Sequence, residues 1–285
     1  LLALVLLALA GCSAAPPLPP LAADAPVVDV IGDVVFQRSP RDRYAVLLRG
    51  QGFRAPEHAF RIGTAEDVRR EGVKVRDRFV EGDLDQLTRL LAKKGYTVYR
   101  ADMGETGPAS VAKLLERIAA VSDGATQVFF AYSGEGDEHG LRTRTLEVGG
   151  HTFVPPDATI VPGALLAKLA AIQGTQALLL NACQSGVFTE AARGEAAFHG
   201  VVIAACARGY ATTPHEPTGT SAIYAAFLSL YRDDPGAVRN LGAVRLERAG
   251  DSWTNFRHQV SDFFGGGGLP ISYEPVLYSN ADFLF

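Results

Sequence analysis

The chain has 285 residues, 47% hydrophobic and 20% charged, proportions that exclude a disordered chain, a collagen-like repeat and a multi-span membrane protein. Its 27 Lys and Arg against 31 Asp and Glu leave a net charge of −4, so it lacks the basic excess that marks a nucleic-acid binder. Three cysteines, Cys12, Cys183 and Cys206, are too few for a disulfide framework in a chain of this size.

Leu1 to Ala10 is a run of ten uncharged apolar residues. It is too short to span a bilayer, which takes about 20 residues, but it matches the apolar core of a secretory signal. Leu9-Ala10-Gly11-Cys12 resembles the lipobox of bacterial lipoproteins. The resemblance implies that residues 1–11 are an N-terminally incomplete signal peptide and that Cys12 is the lipidated residue. It also implies an exported chain, anchored through acylated Cys12 to a bacterial membrane on its periplasmic or cell-surface side. A cysteine carrying several acyl chains would anchor durably, where one chain would not. Pro16, Pro17, Pro19, Pro20 and Pro26 then keep the backbone extended, so residues 12–40 read as a tether and 41–285 as one folded domain.

From there short apolar runs alternate with amphipathic helices. Tyr44–Leu48 reads as a buried parallel strand. Gln51–Glu81 receives no assignment. Leu84, Leu87, Leu90 and Leu91 share one face of a helix over 83–94 that Gly95 stops. Tyr96–Tyr99 is a second strand. Pro108 opens a helix with Val111, Leu114, Leu115 and Ile118 on one side, and Gln127–Tyr132 is a third strand. A hairpin is expected over 141–154 around Gly149-Gly150, then a helix over 162–172 and a fourth strand at Ala177–Leu180. Val201–Ala205 is the fifth strand. Helices are expected from Ser221, Ala237 and Ser252, the last with Trp253, Phe256, Val260 and Phe263 on one side. Gly265–Gly268 reads as a linker, and Pro275–Leu277 as a segment that closes the sheet. Alternating strands and helices predict an α/β fold with a mostly parallel sheet of about six strands, covered by helices on both faces.

In such sheets chemistry gathers beyond the carboxyl ends of the strands. The third strand runs into Ser133-Gly134-Glu135-Gly136-Asp137-Glu138-His139-Gly140, the fourth into Asn181-Ala182-Cys183-Gln184-Ser185-Gly186. A helical crossover between them makes both ends point the same way, so a base and a thiol nucleophile can meet across one crevice.

The order of elements and the blocks FFAYSGEG and LLLNACQSG, about fifty residues apart, resemble the caspase-like cysteine peptidases, metacaspases and bacterial relatives included, over residues 42–232. The resemblance implies a three-layer caspase-like sandwich and a cysteine endopeptidase acting on peptide or protein, with Cys183 as nucleophile. It implies an oxyanion hole from backbone N–H groups near Gly134 and Cys183, and a substrate groove bordered by Arg49, Asn181 and Arg208, with Ile203–Tyr210 as its following strand and loop. Two positions depart from the family pattern. Glu135 stands where the catalytic His is expected, and Asn181 where Asp is usual. A carboxylate beside a thiol opposes thiolate formation, whereas an imidazolium promotes it. His139, four residues on, is the nearby imidazole and the candidate base. Two readings stay open: an endopeptidase working through Cys183 and His139, or an inactive pseudopeptidase that binds an extended peptide beside the fifth strand.

Other features read more plainly. Cys206 falls in an apolar strand and reads as core, a Cys183–Cys206 disulfide being the alternative. His58, His151, His199, His215 and His258 lack metal-ligand spacing, so no metal and no cofactor is expected. The mixed charges of residues 67–78 read as a solvated face.

Overall fold

The computed structural model describes residues 27–30, 36–50, 82–102, 107–143, 146–148, 151–153, 156–212, 214–215, 220–244 and 275–285. Cys12, the charge run at 67–78, the helix expected from Ser252 and the Gly265–Gly268 linker lie outside them.

The fold is a three-layer α/β sandwich. Its central sheet runs through β1 (Val27–Val30), β2 (Arg43–Arg49), β3 (Thr97–Asp102), β4 (Gln127–Ser133), β10 (Thr175–Asn181), β11 (Gly200–Ala204) and β14 (Val276–Ser279). The spatial order is β1-β3-β2-β4-β10-β11-β14, with all pairings parallel except that of β14 with β11. Pro275–Leu277 thus leads into an antiparallel edge strand, as expected. The sheet also takes in Val27–Val30, which the sequence reading had assigned to the tether. Phe36 stacks on Tyr44 and Tyr99, so the folded part begins well before residue 41.

Both faces of the sheet are buried, which is why its strands read as unbroken apolar runs. Tyr44, Val46 and Leu48 of β2 face one helix layer, made of α2 (Pro108–Val121), α3 (Pro162–Ala170) and α4 (Val187–Gly194). Ala45 and Leu47 face the other, made of α1 (residues 82–93) and α5 (Ala222–Ser229). Each layer presents the stripe its periodicity dictates. Val111, Leu114, Leu115 and Ile118 are the buried residues of α2, and Leu84, Leu87, Leu90 and Leu91 are buried from α1. Gly95, at φ +82°, ends α1 in the left-handed conformation that glycine adopts without penalty.

Several short elements depart from expectation. Leu141 belongs to a small sheet of β5 (Gly136–Asp137), β6 (Gly140–Arg142) and β9 (Thr159–Ile160), the hairpin proper is β7 (Leu146–Val148) with β8 (His151–Phe153), and β12 (Pro214–His215) pairs with β13 (Thr220–Ser221) ahead of α5. Helix α4, directly after the Cys183 block, was not anticipated. The helix expected from Ala237 is absent. Arg239 instead exchanges backbone hydrogen bonds with Phe285 (3.0 and 2.9 Å), which holds it extended, and a 3₁₀ turn at Leu241–Ala243 follows among the described residues. Among the described residues no helix is long and apolar enough to cross a membrane.

Candidate active site

The chain leaves β2 for β3 on one side and then returns to β4 on the other. That reversal makes the carboxyl ends of β2 and β4 the topological switch point of the sheet, the place where ligands bind in open α/β sheets, with β10 next in line. Pairing runs to the rim: Gly50 N–H donates to the Ser133 carbonyl (2.9 Å) and Gly134 N–H to the Asn181 carbonyl (3.0 Å). The two blocks singled out in the sequence therefore sit side by side.

Tyr132 secures the first block. Its ring is in the core and its Oη lies 2.7 Å from the Glu135 carbonyl and 2.6 Å from that of Arg142, one proton serving both. The hydroxyl is hemmed in by Gly50 and Gly134, where a Cβ would stand 2.1 and 2.6 Å from it. Beyond the turn, Asp137 organises the hairpin. Oδ1 accepts from the His139 and Gly140 N–H groups (2.8 and 3.1 Å), and Oδ2 takes both Nε and an Nη of Arg142 at 2.8 Å.

The Glu135 side chain is half-buried, and Cys183, also partly buried, is a free thiol. Both lie within electrostatic reach of one group. Burial first, and then the Glu135 and Cys183 charges, push the Tyr132 phenol well above its ordinary pKa, against the opposing effect of Arg142. The backbones meet as well: a Cβ on Gly136 would stand 2.6 Å from the Cys183 carbonyl oxygen. A thiol and a carboxylate thus share the rim, and the imidazole stands at the tip of the adjoining hairpin. The His139 side chain is 76% exposed at the hairpin tip, and its ring meets Glu138 Oε1 at 3.7 Å.

One of the two expected backbone donors is already engaged. Gly134 N–H cannot serve an oxyanion hole while it extends the β4–β10 ladder to Asn181. Around Cys183 the following N–H groups are also engaged, Gln184 with Tyr210 (2.8 Å), Ser185 with Ala182 (3.3 Å) and Gly186 with Cys206 (2.8 Å). Arg49 faces Asp102 (3.7 Å), and Arg208 reaches Glu190 (3.2 Å) from the loop after β11. Strand β11 is paired on both edges, so no peptide can add beside it.

Asn181 leads to a feature the sequence reading missed. Its Nδ2 donates to Ser133 Oγ (3.0 Å) and Asp83 Oδ2 (3.3 Å), Ser133 Oγ donates to the same Asp83 oxygen (2.7 Å), and Ser221 N–H donates to Asp83 Oδ1 (2.6 Å). Burial pushes the Asp83 carboxyl up to about 7, outweighing those hydrogen bonds. Asn181 Oδ1 and Tyr224 Oη are buried nearby without hydrogen-bond partners among the described residues. In the sequence Asp83 shows only as an acid in a first helical turn, an ordinary complement to the helix dipole.

Cys206 is core as expected. Its Sγ donates to the carbonyls of Tyr210 (3.2 Å) and Ala182 (3.5 Å), it is unbridged, and burial raises its pKa. Among the described residues no three His, Cys, Asp or Glu side chains cluster as a metal site would require.

No protein-family model matches the chain, and no curated protein matches it. Among solved structures it is similar to a Geobacter sulfurreducens protein designated GSU0716, at 12% identity and a TM-score of 0.44 over 84% of this chain and 94% of that one.

Proposed function

We propose that this chain is a caspase-like cysteine-peptidase domain, exported and membrane-held through Cys12, that binds peptide or protein segments over Cys183 and hydrolyses them slowly. One observation carries the reading. The turn at Glu135-Gly136 packs directly on the Cys183 peptide unit, at the sheet end where the strand order reverses.

In the reaction the Cys183 thiolate attacks a peptide carbonyl, the C–N bond breaks as the amine takes a proton, and water then releases the acyl group and regenerates the thiol. The weak step is proton handling. A free thiol is only a few per cent ionised at neutral pH, and Glu135, a carboxylate, supplies no imidazolium to favour the thiolate. An ionised Glu135 also has no proton to give the leaving amine, and the His139 ring stands 76% exposed at the hairpin tip, against Glu138. Retained binding with poor turnover is the outcome.

A peptide bearing a thiol-reactive group tests it. The probe is expected to label Cys183, labelling is expected to vanish in Cys183→Ala, and Glu135→His is expected to raise peptide hydrolysis about 10²-fold, the usual contribution of a placed acid–base group. His139→Ala is expected to change hydrolysis little. A probe that never labels Cys183 would overturn the proposal. Peptide binding without product, unaltered by Glu135→His, would mark a pseudopeptidase instead.

A further inference from the structure

Gln184, the residue after Cys183, has φ +55°, a left-handed conformation in which a long side chain is uncommon. Nothing about a plain turn calls for glutamine there, since glycine takes this conformation freely. The side chain is nevertheless 8% exposed and fully engaged. Nε2 donates to Glu138 Oε2 (3.2 Å) at the tip of the β5–β6 hairpin, and Oε1 accepts from Gly209 N–H (3.3 Å) in the loop after β11. Its own N–H donates to the Tyr210 carbonyl (2.8 Å), and its carbonyl accepts from Val187 N–H (3.1 Å), the first residue of α4. Two chain segments remote in sequence therefore converge on one side-chain amide, each by a single hydrogen bond.

We propose that Gln184 is the positioning residue for Cys183, a crossbrace that ties the Cys183 turn to the 136–142 hairpin and to the 207–210 loop and so fixes where the thiol stands. This rests on the reading of Cys183 as the nucleophile and deepens it. Glu138 is the far anchor, and it also faces His139 (3.7 Å) at the hairpin tip.

The test uses an exchange of polarity within the pair. Gln184→Glu opposes two carboxylates at about the present 3.2 Å contact while still able to accept from Gly209. Adding Glu138→Gln restores an amide–carboxylate hydrogen bond with donor and acceptor reversed. Two readouts apply to the whole chain: the rate at which iodoacetamide modifies Cys183 from pH 6 to 10, located by peptide mass mapping, and hydrogen exchange at Gly209 and residues 136–142. Gln184→Glu is expected to change the high-pH plateau of the Cys183 rate at least fivefold and to speed exchange at Gly209 at least tenfold. The double variant is expected to return both to within about twofold of the parent. Gln184→Gly, which adds no charge, is expected to change the plateau without moving the midpoint. Parent-like rates in Gln184→Glu, or no recovery in the double variant, would overturn the proposal. Iodoacetamide needs no peptide recognition, so a domain that fails to bind or cleave peptide still reports on the brace.

Discussion

Gly136 and Cys183 are in backbone contact: a Cβ on Gly136 would lie 2.6 Å from the Cys183 carbonyl oxygen and 2.9 Å from the Ala182 Cβ. The turn carrying Glu135 is therefore seated on the turn carrying the thiol, and neither can shift alone. This contact forms beyond the last paired residues of β4 and β10, Ser133 and Asn181, so the sheet itself sets its register.

Gly136→Ala is expected to destabilise the fold by about 1–3 kcal/mol, because the obstructing atoms belong to backbone and to a buried Cβ that cannot swing away. Gly163→Ala is the control. It sits in α3 with open space around its Cβ position, and is expected to be neutral or stabilising by up to about 1 kcal/mol. Urea unfolding of both variants checks the contrast.

How much of this was legible in the chain depends on separation. The faces of α1 and α2 follow from spacings of three and four residues, and each leucine and isoleucine so identified is buried. The apposition of the Glu135 and Cys183 blocks follows from topology, since strands joined by a helical crossover present the same end. Helix α4 escaped notice because eight residues carry too few turns to show a period. Strand β1 was masked by the prolines that precede it, and its identity comes from β3 far along the chain. Asp83 and Gln184 were illegible for the same reason: Asp83 meets Ser221 138 positions away, and Gln184 meets Glu138 46 positions away. No local pattern encodes such pairings.

Tyr132→Phe removes the hydroxyl shared by the Glu135 and Arg142 carbonyls, so each of these part-buried acceptors loses a donor and the Glu135 carbonyl keeps the Arg142 N–H. The expected cost is about 1–3 kcal/mol. The loss falls on the hairpin first. Arg142 N–H, which donates to the Glu135 carbonyl at 2.9 Å, is expected to exchange with solvent faster than any amide of β4. Slow exchange at Arg142 in the variant would show that the hydroxyl does not hold this turn.

Lys94 gives an alkaline signature. Its Nζ donates to the Ala237 carbonyl (2.7 Å) over the rings of Tyr231 (4.4 Å) and Phe285 (4.8 Å). Burial lowers its pKa to about 8 from an ordinary 10.5. Between those values the unfolded chain holds a proton that the folded one has released, so stability rises with pH across the window. From pH 7 to 9.5 the gain is on the order of 2 kcal/mol. Lys94→Met keeps the apolar stem and is expected to flatten the rise in urea unfolding. An unchanged rise would assign it to another group.

Asp83 acts in the opposite direction at lower pH. Its carboxyl is raised to about 7 in the fold from 3.8, with burial the first cause. A raised folded value means the stabilising contribution is complete below pH 3.8 and is lost as pH climbs through 7, because the native state must then either keep a proton that the unfolded chain has shed or bury a charge. The loss between pH 5 and pH 8 is on the order of 3 kcal/mol. Asp83→Asn removes the ionisation and keeps a carbonyl for the Ser221 N–H. Its new amide can donate to Asn181 Oδ1, which is unpartnered among the described residues, once the Asn181 amide turns over. The variant is therefore expected to match the parent near pH 5 and exceed it near pH 8 in urea unfolding. A variant equally weakened at both pH values would mean that the charged carboxylate, and not its hydrogen bonds alone, holds the ends of β4 and β10 to α1.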